Sequence, residues 1–307
     1  MFGHIFNMNK IDGTQIAKSI IANLATLSRP KKILAAVLAG DDSSTGSLQA
    51  RASMSFLKQK EKVAKELGVD FRIYKLSADL KNDGLRKEVG RIARQGRVGG
   101  VIVQLPLPEG INRRYVLNAI PQTKDVDVLS EKAQAAFRSG KNPVLPPSVG
   151  VVEEITRIVN YELGIMNVAI VGLGFLVGKP ISEWLKGNPS TGIRARCAEL
   201  YLLDIGSDFS VLKNADIVIS GVGSAGLIKP EMLKDDTTVI DFGYSVEAGN
   251  EEKGIRNKDK IRGDFDSDAL KIENCKLKIR WYTPTPGGTG PILVAKLMEN
   301  FYKLNLE

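Results

Sequence analysis

From Lys32 onward, short runs of aliphatic and β-branched residues alternate with longer stretches whose apolar positions recur every three to four residues. That alternation predicts parallel strands joined by helices, an α/β fold. In the first half, strands are expected at 33–38, 71–76 and 100–104, with helices at 54–67, closed by Gly68, and at 85–95. Residues 131–148 contain Ser-Gly-Lys-Asn-Pro and then Pro146-Pro147, and read as an interdomain passage rather than regular structure. A second α/β series follows, with helices at 151–162 and after Pro180, and strands at 168–171, 200–203, 216–220 and 238–241. The segment 291–302 opens with a proline suited to a first helical position and carries Leu293, Val294, Leu297, Met298 and Phe301 on one face.

At 307 residues the chain is about two domains long, each large enough to bury a core. Its 43% hydrophobic and 25% charged residues match the globular average, which excludes a disordered or collagen-like chain. No apolar run reaches the roughly 18 residues of a membrane helix. The opening MFGHIFNMNK lacks the basic start, apolar stretch and small-residue cleavage site of a secretory signal, so a cytoplasmic protein without membrane partners is expected. Cys197, Cys275 and the single histidine, His4, fall short of the roughly four ligands of a Cys/His zinc site. No metal is expected, and a general base must be Lys, Asp, Glu or Tyr. Lys and Arg number 43 against 35 acids, a net charge of +8. Such a balance favours anionic ligands such as nucleotides or acidic metabolites, or is simply an ordinary basic surface. Without a helix-turn-helix or aromatic-basic pattern, nucleic acid is not expected as a partner.

Candidate chemistry lies in both halves. Phe56, Lys60, Val63 and Leu67 follow i, i+4, i+7, i+11 spacing, so Lys60 projects from an apolar stripe. Either its ammonium snorkels to the helix edge, or a low-dielectric cleft lowers its pKa enough for proton transfer near neutrality. Gln104 ends an apolar strand at the carboxyl end, where ligands bind in open α/β sheets, or it merely caps that strand. Asp125 and Asp127 share one side of an extended segment, as paired site acids or as turn residues. Further on, Gly172-Leu173-Gly174-Phe175-Leu176-Val177-Gly178 lies between a strand and the helix opened by Pro180. It is nearly the dinucleotide fingerprint, its third glycine one position late. Asp204 closes the next strand, where an acid accepts bonds from ribose hydroxyls and repels a 2′-phosphate, or serves the turn-rich Asp-Ile-Gly-Ser-Asp.

Over nearly its whole length the chain resembles the methylenetetrahydrofolate dehydrogenase/methenyltetrahydrofolate cyclohydrolases. Asp12-Gly13, the 52–68 helix with Lys60 and Lys62, and Gly100-Val-Ile-Val-Gln-Leu-Pro-Leu-Pro108 carry the likeness. It continues in Lys124-Asp-Val-Asp127, Val177-Gly-Lys-Pro180, Val239-Ile-Asp-Phe-Gly243, Gly263-Asp-Phe-Asp266 and Thr283-Pro-Thr-Pro-Gly-Gly-Thr-Gly-Pro291. The resemblance implies a folate-binding catalytic domain at 1–145, rejoined by 287–307, and a Rossmann-like domain at 146–286. It implies oxidation of 5,10-methylenetetrahydrofolate with NAD or NADP, hydrolysis to 10-formyltetrahydrofolate, and a homodimer. On this likeness Lys60 is the catalytic lysine, Gln104 orients it and Asp127 holds the pterin. Phe56, Pro286, Gly287, Gly288 and Pro291 join Asp127 around the substrate. Gly172, Gly174, Phe175, Val177, Gly178, Lys179, Pro180, Asp204 and Gly221 hold the cofactor.

Several positions depart from the family pattern. Phe56 stands where Tyr is common, Val128 where a glycine follows the pterin-binding acid, Gly174 where a Ser-type residue is usual, and Leu293 where Thr is usual. Leu145-Pro146-Pro147-Ser148 takes the approximate place of a Pro-Cys/Ala-Thr-Pro element. After the second Rossmann strand, NADP-using relatives carry His-Ser-Arg/Lys-Thr, whereas this chain has Leu203-Asp204-Ile205-Gly206-Ser207 and no basic residue. NAD is therefore favoured. The positive net charge is compatible with polyglutamylated tetrahydrofolates. The alternatives carried forward are a monofunctional cyclohydrolase and a non-catalytic folate- or nucleotide-binding regulator.

Overall fold

The computed structural model describes residues 6–7, 9–40, 48–188, 190, 192, 195–247, 251–252, 255–256, 260–271 and 277–306. The chain forms two units, residues 18–147 with 294–307, and residues 1–17 with 148–293. His4 and Cys275 lie outside the described residues.

In the first of these units a three-stranded parallel sheet has the order Phe71–Leu76, Ile33–Ala39, Val98–Val103. All seven residues of the central strand are buried, as expected for a parallel strand flanked on both edges and covered on both faces. The strand at 98–103 is equally buried, and its glycines permit close packing. A Cβ on Gly100 would lie 2.7 Å from Phe301 and 2.8 Å from Val126. The helix expected at 54–67 runs from Leu48 to Glu66, and that expected at 85–95 spans Asn82–Ala93.

The expected interdomain passage at 131–148 is instead largely helical. Ser130 caps Glu131–Arg138 by accepting a bond from the Ala133 amide, Glu131 lies in the first turn, and Ala133 and Phe137 are buried. Gly140, at φ +68°, follows the end of this helix. The cap, the first-turn acid and the terminal glycine are helix signals, outweighed in the sequence by the later prolines. Pro147 itself opens the helix Pro147–Ile158, four residues before the expected start. A proline at a first helical position starts a helix rather than breaking it.

The second unit contains a seven-stranded sheet ordered Phe6–Asn7, Lys10–Ile11, Trp281–Tyr282, Thr238–Asp241, Ile217–Ser220, Asn167–Val171, Glu199–Leu203. Its last five strands are mutually parallel. The N-terminal segment, expected with the first domain, belongs to this unit, where Phe6–Asn7 and Lys10–Ile11 complete the sheet. Lys10 pairs with Tyr282, the Tyr282 amide donates to the Asn9 carbonyl at 2.9 Å, and the Asn9 side chain donates to the Ile279 carbonyl at 2.7 Å. A Cβ on Gly13 would fall 1.7 Å from the Gly288 carbonyl oxygen. The last helix, expected at 291–302, spans Thr289–Lys303. Among the described residues no helix is long and apolar enough to cross a membrane, and no group of three or more His, Cys, Asp or Glu is placed to hold a metal.

Candidate active site

The face that the helix Leu48–Glu66 buries carries Ser53, Leu57, Lys60, Ala64 and Leu67 just beyond its end, with Phe56 and Val63 at its margin. A lysine at the middle of that stripe must leave water. Lys60 is only 8% exposed, and its Nζ donates to Gln104 Oε1 at 3.2 Å, so the side chain does not snorkel. Gln104 follows the strand Val98–Val103 and continues its ladder, its amide donating to the Val37 carbonyl at 2.9 Å. Its Nε2 donates to Ser53 Oγ and to the Leu105 carbonyl, both at 3.1 Å, while the Ser53 hydroxyl donates to the same carbonyl at 3.4 Å. With both donors of the amide nitrogen spent on acceptors, the oxygen end must face the lysine. Burial holds the Lys60 pKa below the ordinary lysine value, and the nearby Asp127 charge works in the opposite direction. A lysine balanced this way, bonded to a neutral acceptor, can take up and release a proton.

Asp127 is set by the segment it ends. Asp125 bridges Val101 in parallel, so this segment runs alongside the strand that leads to Gln104. Lys124 anchors it by donating to the carbonyls of Ala93 and Gln95 at 2.7 and 3.0 Å, at the end of the helix Asn82–Ala93. The two carboxylates differ in role. Asp125 is fully buried and accepts from the amides of Leu129 and Ser130, the latter at 2.7 Å, which makes it a turn acid. Asp127 is partly exposed. Burial pushes its pKa up to about 6 despite the pull of Lys60, and the charge of Asp125 adds to the rise. Next in the chain, Val128 takes φ +58°, a left-handed conformation costly for a β-branched residue. This is the physical reason a glycine suits the position. Asn300 completes the turn from the last helix, its Nδ2 donating to the carbonyls of Val126 and Leu145, each at 2.8 Å.

Ser53 and Asn300 have no individual part in the sequence reading, and Lys124 enters it only within the Lys124–Asp127 string. Ser53 lies seven residues before Lys60, on the same helical face, and that spacing was a usable signal. Asn300 acts over 174 residues of sequence, and no local pattern reports such a pairing.

In the second unit, Gly172 follows the strand Asn167–Val171 and takes φ +85°, and Gly178 begins the helix Gly178–Lys186. A Cβ on Gly178 would lie 1.9 Å from the Gly172 carbonyl oxygen, and one on Gly172 would lie 2.8 Å from Val222. The late third glycine thus does the close-approach work of the fingerprint, with Phe175 and Val177 in the intervening turn. Gly174 differs: the nearest atom to an added Cβ is the Gly221 carbonyl oxygen at 4.0 Å, so a side chain would fit. Lys179 is exposed and its amide donates to the Gly174 carbonyl at 3.1 Å, while Pro180 sits in the first helical turn. This tight turn, with glycine at its two closest approaches and a helix opening from it, fits a dinucleotide pyrophosphate.

Asp204 follows the edge strand Glu199–Leu203 and is exposed. Its Oδ1 accepts from the Ile205 amide at 3.0 Å, and its own amide donates to Ser207 Oγ at 2.9 Å. The acid therefore takes part in the turn, and its second oxygen enters no bond among the described residues. Pro286, Gly287, Gly288 and Pro291 also belong to this unit. Gly287 takes φ +97°, and a Cβ on Gly288 would lie 2.5 Å from the Pro284 carbonyl oxygen. The peptide bonds before Pro106 and Pro286 are cis.

Residues 11–127 match the family model for the tetrahydrofolate dehydrogenase/cyclohydrolase catalytic domain, and residues 146–307 match that for its NAD(P)-binding domain. The bifunctional protein FolD of Hydrogenobaculum sp. (strain Y04AAS1) is 33% identical over 302 residues, covering 96% of this chain and 98% of the relative. That of Rickettsia bellii is 31% identical over 303 residues, covering 95% and 96%. The crystal structure of the bifunctional FolD dehydrogenase/cyclohydrolase from Campylobacter jejuni superposes with a TM-score of 0.80 at 26% identity, over 97% of this chain and 99% of that one. With both family models matched and the relatives aligned over almost their full length, the chain belongs to the tetrahydrofolate dehydrogenase/cyclohydrolase family.

Proposed function

We propose that this protein oxidises 5,10-methylenetetrahydrofolate to the methenyl form with a nicotinamide dinucleotide and hydrolyses that product to 10-formyltetrahydrofolate. The observation that carries the reading is the buried Lys60–Gln104 pair with Asp127 coupled to the lysine. In the oxidation the bound dinucleotide supplies the hydride acceptor. In the hydrolysis, neutral Lys60 takes a proton from water as its oxygen bonds to the bridging carbon. The resulting ammonium returns a proton to the ring nitrogen as its bond to that carbon breaks, and the second water proton leaves to solvent. Gln104 fixes the direction of the ammonium, and Asp127 binds the pterin. Phe56 keeps an aromatic face for the substrate without the hydroxyl of a tyrosine.

NAD is the preferred dinucleotide in this reading. The Asp204 carboxylate accepts from ribose hydroxyls and repels a 2′-phosphate, and Asp208 adds a second acid to the same turn. The protein acts as a cytoplasmic homodimer on tetrahydrofolates that carry glutamate tails, which its basic balance suits. Separate assays of the two half-reactions test the activity: both should be catalysed, and an enzyme that hydrolyses but does not oxidise would leave only a cyclohydrolase. For the cofactor, Asp204→Ser should raise NADP efficiency relative to NAD by about tenfold or more, the size of one lost charge contact. Wild-type enzyme that already uses NADP as well as NAD would defeat the assignment.

A further inference from the structure

Asp264 has no place in the chemistry above, yet it is completely buried and accepts four hydrogen bonds. Oδ2 receives Ser220 Oγ at 2.6 Å and the Val222 amide at 2.8 Å. Oδ1 receives the amides of Gly223 at 2.9 Å and Ser224 at 2.7 Å. Three consecutive N–H groups converging on one anion form a nest of the kind that binds phosphate, and here the protein's own carboxylate fills it. The loop so gathered follows the strand Ile217–Ser220 and meets the glycine turn of the neighbouring strand. Val222 lies 2.8 Å from where a Gly172 Cβ would stand, and a Cβ on Gly221 would lie 2.7 Å from Val177. Asp241 reinforces the arrangement from the adjoining strand end, accepting from the amides of Gly243 at 2.7 Å and Phe265 at 2.9 Å. A Cβ on Gly243 would fall 2.2 Å from Asp264 Oδ1, so the two acids and two segments interlock.

We infer that Asp264 is a positioning residue for dinucleotide binding: its carboxylate shapes residues 221–224 into the wall against which the 172–178 turn is set, without touching the dinucleotide. The inference rests on the reading of that turn as the cofactor site. It also assigns the loop amides to Asp264, leaving the pyrophosphate to the Gly172–Gly178 turn.

The test uses the full-length enzyme and two variants, Asp264→Asn and the milder Ser220→Ala. NAD and NADP binding are measured by titration calorimetry, dinucleotide KM and kcat in the oxidation, and turnover of methenyl substrate in the hydrolysis, which needs no dinucleotide. Asp264→Asn should raise the Kd and KM of the preferred dinucleotide by about tenfold to a hundredfold, as expected for losing charge-assisted bonds. Its kcat should change less than about threefold and hydrolysis less than about twofold, because the groups that react are untouched. Ser220→Ala should move the same constants in the same direction by a few-fold, roughly one hydrogen bond. Unchanged dinucleotide constants in both variants overturn the inference. Loss of hydrolysis in step with dinucleotide binding in Asp264→Asn, with Ser220→Ala silent, overturns it too, since the residue then serves folding alone. A wild-type enzyme that binds neither dinucleotide fails earlier, at the cofactor reading itself.

Discussion

Val128 and Asp127 illustrate how much single residues decide here. A β-branched residue at φ +58° carries about 1–3 kcal/mol of backbone strain. Its side chain is 2% exposed, and burying a valine returns roughly 1.5–3 kcal/mol, enough to hold the residue where a glycine is easier. Val128→Gly should therefore be cheap, because relief of strain offsets the lost packing. Val126→Gly, fully buried and without that strain, should cost at least about 1 kcal/mol more in urea unfolding. Equal costs would mean that Val128 is not strained. Asp127 governs Lys60 electrostatically: its negative charge raises the lysine pKa. Neutralising it in Asp127→Asn should lower that pKa, so the limb of the hydrolysis pH profile that reports Lys60 moves to lower pH, while pterin binding weakens. An unmoved limb would separate the two groups. At this scale the sequence was informative: Lys60 stood out because an ammonium occupied an apolar stripe. Whether it snorkelled or was buried depended on Gln104 and Ser53, whose approach involves separations of 44 and 51 residues along the chain.

Secondary-structure elements carry these residues by backbone means. The parallel ladder places Gln104 beyond Val103, and Asp125, which opens the turn to Ser130, bridges Val101 of that same strand. The helix Thr289–Lys303 reaches it through Asn300. Asn300→Ala would leave the Val126 and Leu145 carbonyls unpaired in a buried setting, a cost of about 1–3 kcal/mol for each group. The expected result is a fall in urea-unfolding stability of roughly 2–6 kcal/mol, with a raised folate KM because Val126 directly precedes Asp127. A variant as stable as the wild type would show that the helix does not hold this turn. Strands were legible where aliphatic and β-branched residues form short unbroken runs, as at 33–38 and 168–171. The helix Glu131–Arg138 was not, since the Ser-Gly-Lys-Asn-Pro string and the prolines that follow it outweighed its capping serine and its helix-forming residues.

For the molecule as a whole, the sequence order of the motifs revealed an α/β catalytic part and a Rossmann-like part, but not how the chain is shared between them. The first seventeen residues belong with residues 148–293, and only 294–307 rejoin residues 18–147. Both arrangements arise from pairings across most of the chain, such as Lys10 with Tyr282, which periodicity does not encode. The 172–178 turn was legible from its glycines, whereas Asp264, which gathers the adjacent loop, was visible only as part of the Gly-Asp-Phe-Asp string. The chemistry proposed for the whole molecule turns on one buried amine. The decisive experiment follows hydrolysis of 5,10-methenyltetrahydrofolate by Lys60→Met, in the absence of dinucleotide, with circular dichroism as the check on folding. Turnover should fall by about a hundredfold to ten-thousandfold, the scale of general acid–base catalysis, in a protein that still melts cooperatively. Near-normal hydrolysis by a folded Lys60→Met would show that this amine does not carry the proton transfer.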